Sequence, residues 1–255
     1  MASILVYHSI SAPAVAMEGD IDISPARFEQ QLRWLSRTGR VVPLAETLNG
    51  ARRNAIAITF DDGFRDNLTV ALPLLEKFNL PMTLFVVAGF FDSDGYLSEE
   101  ELQEISKHPL VTIGAHGLWH RHFNRISPDE AQFELRESKR LLEDAIGKQV
   151  DFMAWPYGEC DSEVESLAGE CGYSAAWSVW KGNNGTYSRW RVPLGRNDDM
   201  LRFMAKASGL YGLTEARLHR HRDRRRQKHE NRKPGGEITA LGSVETALSR
   251  SEVLK

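Results

Sequence analysis

Short apolar runs alternate with amphipathic stretches along most of this chain. The runs are uninterrupted and brief, which is typical of strands that are buried on both faces. They lie at residues 4–7, 55–60, 82–87, 111–114, 150–155 and 175–180. The stretches between them repeat apolar residues every three or four positions, as Phe28, Leu32 and Leu35 do, which indicates helices. Strands that alternate with helices favour a parallel sheet with right-handed crossovers, and about seven such units favour a barrel over an open sheet.

Capping signals locate the ends of several helices. A serine followed by proline, or by glutamate three residues later, predicts a helix start, and a glycine predicts a helix end. The starts are at Ser24-Pro25, Ser98 with Glu101 and Ser127-Pro128 with Glu130, and the ends are at Gly39 and Gly147. A helix over 68–78 must accommodate Pro73. A short strand is expected at 41–42 and a last regular helix at 199–207.

Composition narrows the class of protein. The chain has 255 residues, of which 42% are hydrophobic and 26% charged, which suits one globular domain of the larger kind. Its 32 Lys and Arg against 35 Asp and Glu give no global charge that would favour nucleic acid or an anionic membrane. Cys160 and Cys171 are too few for a disulfide framework. The N-terminal residues lack the basic region of a signal peptide and no run is long enough to span a bilayer, so we expect a cytoplasmic protein without a transmembrane segment.

The character of the sequence changes after Gly212. Residues 217–229 are strongly basic and almost free of apolar side chains. We therefore expect a barrel domain over 1–212 and a basic, disordered tail over 213–255. A solvated extension is one interpretation of this tail, and a patch that contacts an anionic lipid surface, polyanion or nucleic acid is the other.

The run Ala55–Phe60 ends abruptly in Asp61, Asp62 and Gly63. Two adjacent carboxylates repel each other at a buried strand end, unless a metal ion binds one of them and leaves the other free as a base. An ordinary Asp-Asp-Gly turn is the alternative. A second polar group favours the metal, because His116 and His120 also follow an apolar run.

Polar residues follow four different predicted strands. They are His8, the Asp61-Asp62 pair, the His116/His120 pair and the stretch Pro156-Tyr157-Gly158. In a parallel barrel the carboxyl ends of all strands open on one face, where residues distant in sequence converge. One carboxylate and two imidazoles with positions left open for water and substrate are the pattern of a catalytic metal site.

These residues resemble a known family. The stretches Thr59-Phe60-Asp61-Asp62-Gly63, His116-x-x-x-His120 and Trp155-Pro156-Tyr157-Gly158 are similar in order and spacing to the first three motifs of the polysaccharide deacetylases, which share the NodB homology domain. The resemblance covers about residues 3–208. It implies a distorted (β/α)7 barrel in a single domain, and metal-dependent hydrolysis of N-acetyl groups on amino sugars.

The resemblance also implies roles for single residues. Asp61 is expected to be the general base, Asp62, His116 and His120 the metal ligands, and the Tyr157 backbone N–H a donor to the oxyanion. Zn²⁺ is the first choice of metal, although Fe²⁺, Co²⁺, Ni²⁺ or Mn²⁺ also suit these ligands. The carbohydrate is expected to contact further residues near the predicted mouth, because sugars stack on aromatic rings. These substrate-binding candidates are Trp155, Pro156, Trp177 and Arg196.

The chain departs from the commoner family pattern at two places. Ala154 stands where the family often has an arginine that orients the catalytic Asp, and Arg191 or Arg196 is the candidate to replace it. The acid histidine expected late in the chain is missing. The stretch Val6-Tyr7-His8-Ser9 instead resembles the poly-N-acetylglucosamine-type deacetylases, in which an N-terminal histidine enters the site. This implies that His8 is the general acid, and a histidine merely hydrogen-bonded at a strand end is the alternative.

Other functions remain open at this point. The missing export signal favours a lipid- or nucleotide-linked precursor over a finished polymer as the N-acetylated substrate. A metal-dependent C–N hydrolase of small amides or imides shares the same Asp/His/His pattern. An inactive carbohydrate-binding module is a further alternative, and nucleic-acid binding would depend on the basic tail alone.

Overall fold

The computed structural model describes residues 2–11, 21–48, 54–179 and 185–209. Eight parallel strands form one sheet in the order β7-β6-β5-β4-β3-β2-β1-β8. The strands are β1 (Ser3–Tyr7), β2 (Ile56–Phe60), β3 (Met82–Val86), β4 (Val111–Ala115), β5 (Phe152–Ala154), β6 (Ala175–Ser178), β7 (Arg189–Trp190) and β8 (Val192–Pro193). The helices are α1 (Pro25–Thr38), α2 (Leu72–Phe78), α3 (Glu99–Ser106), α4 (Pro128–Ile146), α5 (Ser162–Glu170) and α6 (Met200–Ala207).

One extended segment closes this sheet into a barrel. Strand β7 pairs with β6, and β8, which follows after the single residue Arg191, pairs with β1 at the opposite edge. Residues 189–193 therefore bridge both edges, and β7 and β8 act together as one position of the barrel. This confirms the distorted (β/α)7 barrel expected from the sequence. The bridging segment itself was missed, because each half is only two residues long and pairs with a different neighbour.

Side chains alternate between two cores because the strands are extended. Leu5, Ile58 and Leu84 point outward and pack with Phe28 and Leu32 of α1 and with the other helices. A second cluster consists of residues from alternate strand positions, together with Leu44 of the short 3₁₀ turn Leu44–Thr47. It contains Ile4, Ala57, Phe85, Phe152, Ala154, Ala175 and Trp177. The barrel interior is therefore filled by side chains, which leaves the rim as the place where a ligand could bind.

The predicted helix caps are confirmed. Both capping boxes form, at Ser98 with Glu101 and at Ser127 with Glu130, and Gly147 ends α4 in a left-handed conformation. Pro73 is accommodated because a π-helical turn, Asn67–Ala71, precedes it and places it in the first turn of α2. The expected strand at 41–42 was wrong in extent, since only one isolated bridge forms between Val41 and Ile56.

The helices in the described ranges are all too short or too polar to cross a membrane. The basic tail, the predicted boundary at 212 and most of the loop after Val179 lie outside those ranges. The two-part domain organisation therefore stays a prediction.

Gly114 of β4 should resist any larger residue. A methyl group there would come within 2.5 Å of the Phe85 ring and 3.1 Å of the Phe152 carbonyl oxygen, so Gly114→Ala would push the ring out of place. We expect a loss of about 1–3 kcal/mol of unfolding free energy, measured as a lower urea midpoint. Thr112→Ala is the matched control, because this residue is exposed on the same strand and should change stability by no more than about 0.5 kcal/mol. Equal midpoints for the two variants would contradict the packing argument.

Candidate active site

Backbone hydrogen bonds of the barrel fix the residues that follow the strands. The Asp61 N–H donates to the Tyr7 carbonyl at 3.0 Å, which extends the pairing of β1 with β2 beyond the last strand residue. The His116 N–H donates to the Val86 carbonyl at 2.8 Å in the same way. The side chains of Asp61 and His116 are consequently held at one rim by rigid elements and are almost completely buried.

Asp62, His116 and His120 form a compact group at this rim. Asp62 Oδ1 lies 3.4 Å from Nε2 of His116 and 3.4 Å from Nε2 of His120. One ligand atom from each of these residues lies within 4.8 Å of the others. Sequence spacing predicted this set, and the structure brings its three members together.

The protonation of His116 makes this group suited to a cation. Nδ1 of His116 lies 2.7 Å from the Ala154 carbonyl oxygen, which can only accept, so Nδ1 carries the proton. In the neutral ring Nε2 then presents a lone pair toward Asp62. Asp62 Oδ1 is buried and has no hydrogen-bond partner among the described residues. Lone pairs that face each other in a buried place repel, and a divalent metal would satisfy them together.

The electrostatic environment favours the same assignment. Burial and the nearby charge of His116 lower the pKa of His120 to about 4, so this ring is neutral and able to bind a metal at pH 7. Burial opposes ionisation of Asp62, but the imidazoles of His116, His8 and His120 outweigh it and hold the pKa of this carboxyl below its usual range. Burial lowers the pKa of His116, but Asp61 and Asp62 outweigh burial and raise it, so Nε2 of His116 binds a cation, whether a proton or a metal ion, more readily than an ordinary histidine does. The rim thus attracts positive charge.

Arg191 holds the second carboxylate, that of Asp61. Its Nη1 and Nη2 lie 2.6 and 2.7 Å from Oδ1 and Oδ2 of Asp61, a bidentate pair. Nη1 also donates to the Thr59 hydroxyl at 3.2 Å, and the guanidinium lies 5.0 Å from the centre of the Phe85 ring. Burial raises the pKa of Asp61, but the Arg191 charge outweighs it and lowers this pKa overall. Asp61 is therefore a fixed, ionised carboxylate.

Arg191 supplies the guanidinium that is missing at position 154. Ala154 lies on β5, whereas Arg191 lies between β7 and β8, yet both residues are buried in the barrel. Of the two arginines considered from the sequence, Arg191 is the one that binds Asp61. Arg196 instead pairs with Asp22, with Nη2 at 2.6 Å from Oδ1.

His8 follows β1 at the same rim. Its charge is close enough to lower the pKa values of Asp61, Asp62 and His120. Its Nδ1 is buried and has no hydrogen-bond partner among the described residues. A ring nitrogen in this state is available for proton transfer, which agrees with the acid role expected from the sequence but does not test it.

Tyr157 lies in the 3₁₀ turn Pro156–Gly158, where Pro156 is buried. The Tyr157 ring is 48% exposed and contacts His120, with ring centres 4.6 Å apart. His122 stacks on the Tyr157 ring at 3.7 Å, and His122 Nδ1 donates to the Glu159 carboxylate at 2.9 Å. The sequence did not distinguish His122 from a surface histidine, because its contacts come from a different segment of the chain.

Three site residues have strained backbones. Asp62, His120 and Tyr157 have φ angles of 74°, 52° and 59°, a region that residues other than glycine rarely adopt. Each such residue costs on the order of 1 kcal/mol or more. Only six non-glycine residues of the described ranges have a positive φ, so half of them lie in this group. Such clustering is typical of functional sites.

Two of the expected substrate contacts are not supported by the structure. Trp155 and Trp177 are completely buried, so neither ring has a face that a sugar could reach. Trp155 packs on Phe123 and donates its indole N–H to the Tyr187 carbonyl, whereas Trp177 packs against Phe85 and Phe152 in the barrel. The apolar runs correctly predicted that Trp155 lies at the end of a strand and that Trp177 lies on one, but they could not show which way the two side chains face.

Comparisons with known proteins agree with this geometry. A family model described as polysaccharide deacetylase matches residues 49–176. YxkH of Bacillus subtilis, which its name assigns provisionally to the polysaccharide deacetylases, is 28% identical over 200 residues, or 74% of this chain and 70% of YxkH. The poly-beta-1,6-N-acetyl-D-glucosamine N-deacetylase of Staphylococcus aureus is 25% identical over 179 residues, or 62% of this chain and 61% of that enzyme.

A solved structure shows the same fold. The Streptococcus pyogenes deacetylase PplD in complex with acetate matches with a TM-score of 0.72 and 23% identity, covering 80% of this chain and 97% of PplD.

Replacing a proposed ligand should abolish metal binding. Asp62→Asn, His116→Ala and His120→Ala each remove one of the three donor atoms, so we expect tight Zn²⁺ binding to be lost in all three, as measured by calorimetry and metal analysis of purified protein. His108→Ala is the matched control, since His108 pairs with Glu76 on the surface. Undiminished Zn²⁺ affinity in the His116 or His120 variant would rule out this site.

Removing Arg191 should destabilise the whole barrel. Arg191→Met leaves the buried Asp61 carboxylate without a partner, and we expect a loss of about 3–5 kcal/mol in unfolding free energy from urea denaturation. Arg65→Met removes the exposed pair with Glu101, with 46% of the Arg65 side chain accessible, and should cost no more than about 1 kcal/mol. Similar small losses in both variants would show that Asp61 does not depend on this arginine.

Proposed function

Since this chain belongs to the polysaccharide deacetylase family, we propose that it is a metal-dependent hydrolase that removes N-acetyl groups from the amino sugars of an oligo- or polysaccharide. The observation that carries this proposal is the largely buried Asp62/His116/His120 group beside a carboxylate, Asp61, that Arg191 holds in one orientation. A metal ligand and a fixed base that are consecutive in sequence suit hydrolysis, because a metal bound by the first and the base itself would lie close to the same water molecule.

The proposed chemistry assigns one task to each residue. Asp62, His116 and His120 would hold the metal. A divalent cation bound there supplies a Lewis acid for the acetyl carbonyl and lowers the pKa of a coordinated water toward about 7. Asp61 accepts a proton from the attacking water, because its charge is maintained by Arg191 and its oxygens are fixed. Arg191 is thus a positioning residue rather than a catalytic one.

The tetrahedral intermediate needs two hydrogen donors, one that stabilises its oxyanion and one that protonates the departing nitrogen. The Tyr157 N–H is proposed to stabilise the oxyanion, a contribution that is typically worth about 3–4 kcal/mol. His8 is proposed to give a proton to the departing sugar nitrogen, because this nitrogen leaves far more readily as a neutral amine than as an anion. The unpartnered Nδ1 of His8 and the proximity of His8 to both carboxylates support this role.

The relatives support the substrate class. The staphylococcal protein is named for removing N-acetyl groups from poly-beta-1,6-N-acetylglucosamine, and PplD is a deacetylase that was solved with acetate. This chain spans less than two thirds of the staphylococcal enzyme, so activity on that polymer is part of the proposal. Zn²⁺ stays the first choice of metal, and the cytoplasmic location and the tail contact with anionic surfaces stay predictions.

Two alternatives make different demands on the site. A hydrolase of small amides or imides would use the same ligands but would need no surface for a sugar chain. An inactive carbohydrate-binding module has no use for a bidentate Arg191–Asp61 pair beside a potential metal group, since a buried ion pair is costly to maintain. The intact pair favours an active enzyme.

Acetate release tests the function and two residue roles together. Wild type should release acetate from N-acetylglucosamine oligomers when loaded with Zn²⁺. Asp61→Asn and His8→Ala should each lower kcat by about 10²–10⁴-fold while retaining the metal, because each removes a proton-transfer group but no ligand. His108→Ala should match wild type. Metal-loaded wild type that releases no acetate from sugars but hydrolyses cyclic amides would favour the alternative hydrolase.

A further inference from the structure

Trp119, the residue that directly precedes the proposed metal ligand His120, carries an exposed indole. Four large hydrophobic residues are exposed in the described ranges, namely Trp119, Phe133, Tyr157 and Leu201. Two of these four adjoin His120, because Trp119 precedes it in the chain and the Tyr157 ring contacts its imidazole. Apolar surface concentrated at one functional rim commonly marks a place where a ligand binds.

The Trp119 ring is fixed from behind. A Cβ atom on Gly89 would come within 2.6 Å of Cε3 and Cζ3 of Trp119, so the indole packs against a backbone that carries no side chain. The Gly89 N–H donates to the Leu118 carbonyl at 2.8 Å, which joins the two segments. The ring is nevertheless 54% exposed. One side of the indole is therefore held by the protein, and the remainder faces solvent.

A buried carboxylate holds the backbone of the same loop. Glu134 Oε2 accepts from the N–H groups of both Leu118 and Trp119 at 2.9 Å, and Glu134 is almost fully buried on α4. The indole therefore extends from an immobilised main chain, next to a residue of the proposed metal group. A pre-ordered aromatic surface loses little conformational entropy when a ligand covers it.

We propose that Trp119 is a platform for a second sugar ring of the substrate, adjacent to the ring whose acetyl group is removed. The inference rests on the proposed function and makes it more specific, because a platform outside the metal group selects an oligomer or polymer over a single amino sugar. A pyranose ring has an apolar C–H face that packs on an aromatic ring while its hydroxyl groups remain in water. The indole has the flat, partly open surface that such packing needs.

Kinetics with substrates of two lengths test the platform. Trp119→Ala should raise KM for the N-acetylglucosamine tetramer on the order of tenfold, the effect of losing one ordered aromatic contact, and leave kcat nearly unchanged. Kinetics with the N-acetylglucosamine monomer should be the same as in wild type. Trp119→Phe should recover part of the tetramer KM, because it restores an aromatic ring. Phe133→Ala, which removes an exposed aromatic residue from α4, is the matched control and should behave like wild type.

Several results would overturn the platform. An unchanged tetramer KM in Trp119→Ala would do so, as would an equal loss on monomer and tetramer, which would place the effect at the reaction centre. Preference for a nucleotide-linked monomer that disappears in Trp119→Ala would show that the indole binds a nucleobase.

Calorimetry of tetramer binding to the Asp61→Asn variant distinguishes a failure of the Trp119 platform from a failure of the proposed deacetylase activity. Binding that weakens on adding Trp119→Ala would support the platform even if wild type released no acetate, a result that would refute the deacetylase alone. Binding that is unaffected by Trp119→Ala would refute the platform whatever the activity of wild type.

Discussion

The buried ion pair between Arg191 and Asp61 is the interaction on which the rest of the structure depends. Arg191 is the single residue between β7 and β8, so the same position that joins the two edges of the barrel also binds the proposed base. Transfer of both charges from water is costly, and it is tolerated here because the contact is bidentate and the Thr59 hydroxyl and the Phe85 ring add further interactions. Closure of the barrel and orientation of Asp61 are thus one event.

The barrel also supplies the rigidity that the rim requires. Asp62 and His120 adopt left-handed backbone conformations that are unfavourable in isolation. They persist because neighbouring atoms are fixed, for example the Asp61 and His116 amides by strand carbonyls and the Trp119 amide by Glu134. The Ala154 carbonyl sets the proton position on His116. A group of charged and strained residues is thus held in place by ordinary hydrogen bonds in which one partner or both belong to the backbone.

Local signals in the sequence predicted most strands, the helix caps and the convergence of His8, Asp61, Asp62, His116 and His120. These features follow from apolar runs, capping residues and the geometry of parallel strands. Tertiary contacts decided what the sequence could not resolve. Whether Arg191 or Arg196 reaches Asp61 depends on a segment with two short pairings to different strands, which has no periodic pattern. Likewise, the sequence pattern did not distinguish the orientations of Trp119 and Trp177, yet only Trp119 of the two is exposed, because Trp177 alternates into the barrel.

The late position of Arg191 has a consequence for synthesis of the chain. Asp61 is separated from its partner by 130 residues, so the growing polypeptide exposes two adjacent carboxylates long before the guanidinium that orients one of them has been made. Strand β1 likewise gains its second neighbour, β8, only from the last part of the barrel. Such distant pairings form slowly, because a long loop must close before they contribute any stability. The proposed active site is therefore completed only when the final strand docks. A nascent chain that stops before that strand carries all three proposed metal ligands, but its proposed base Asp61 is not yet oriented by Arg191.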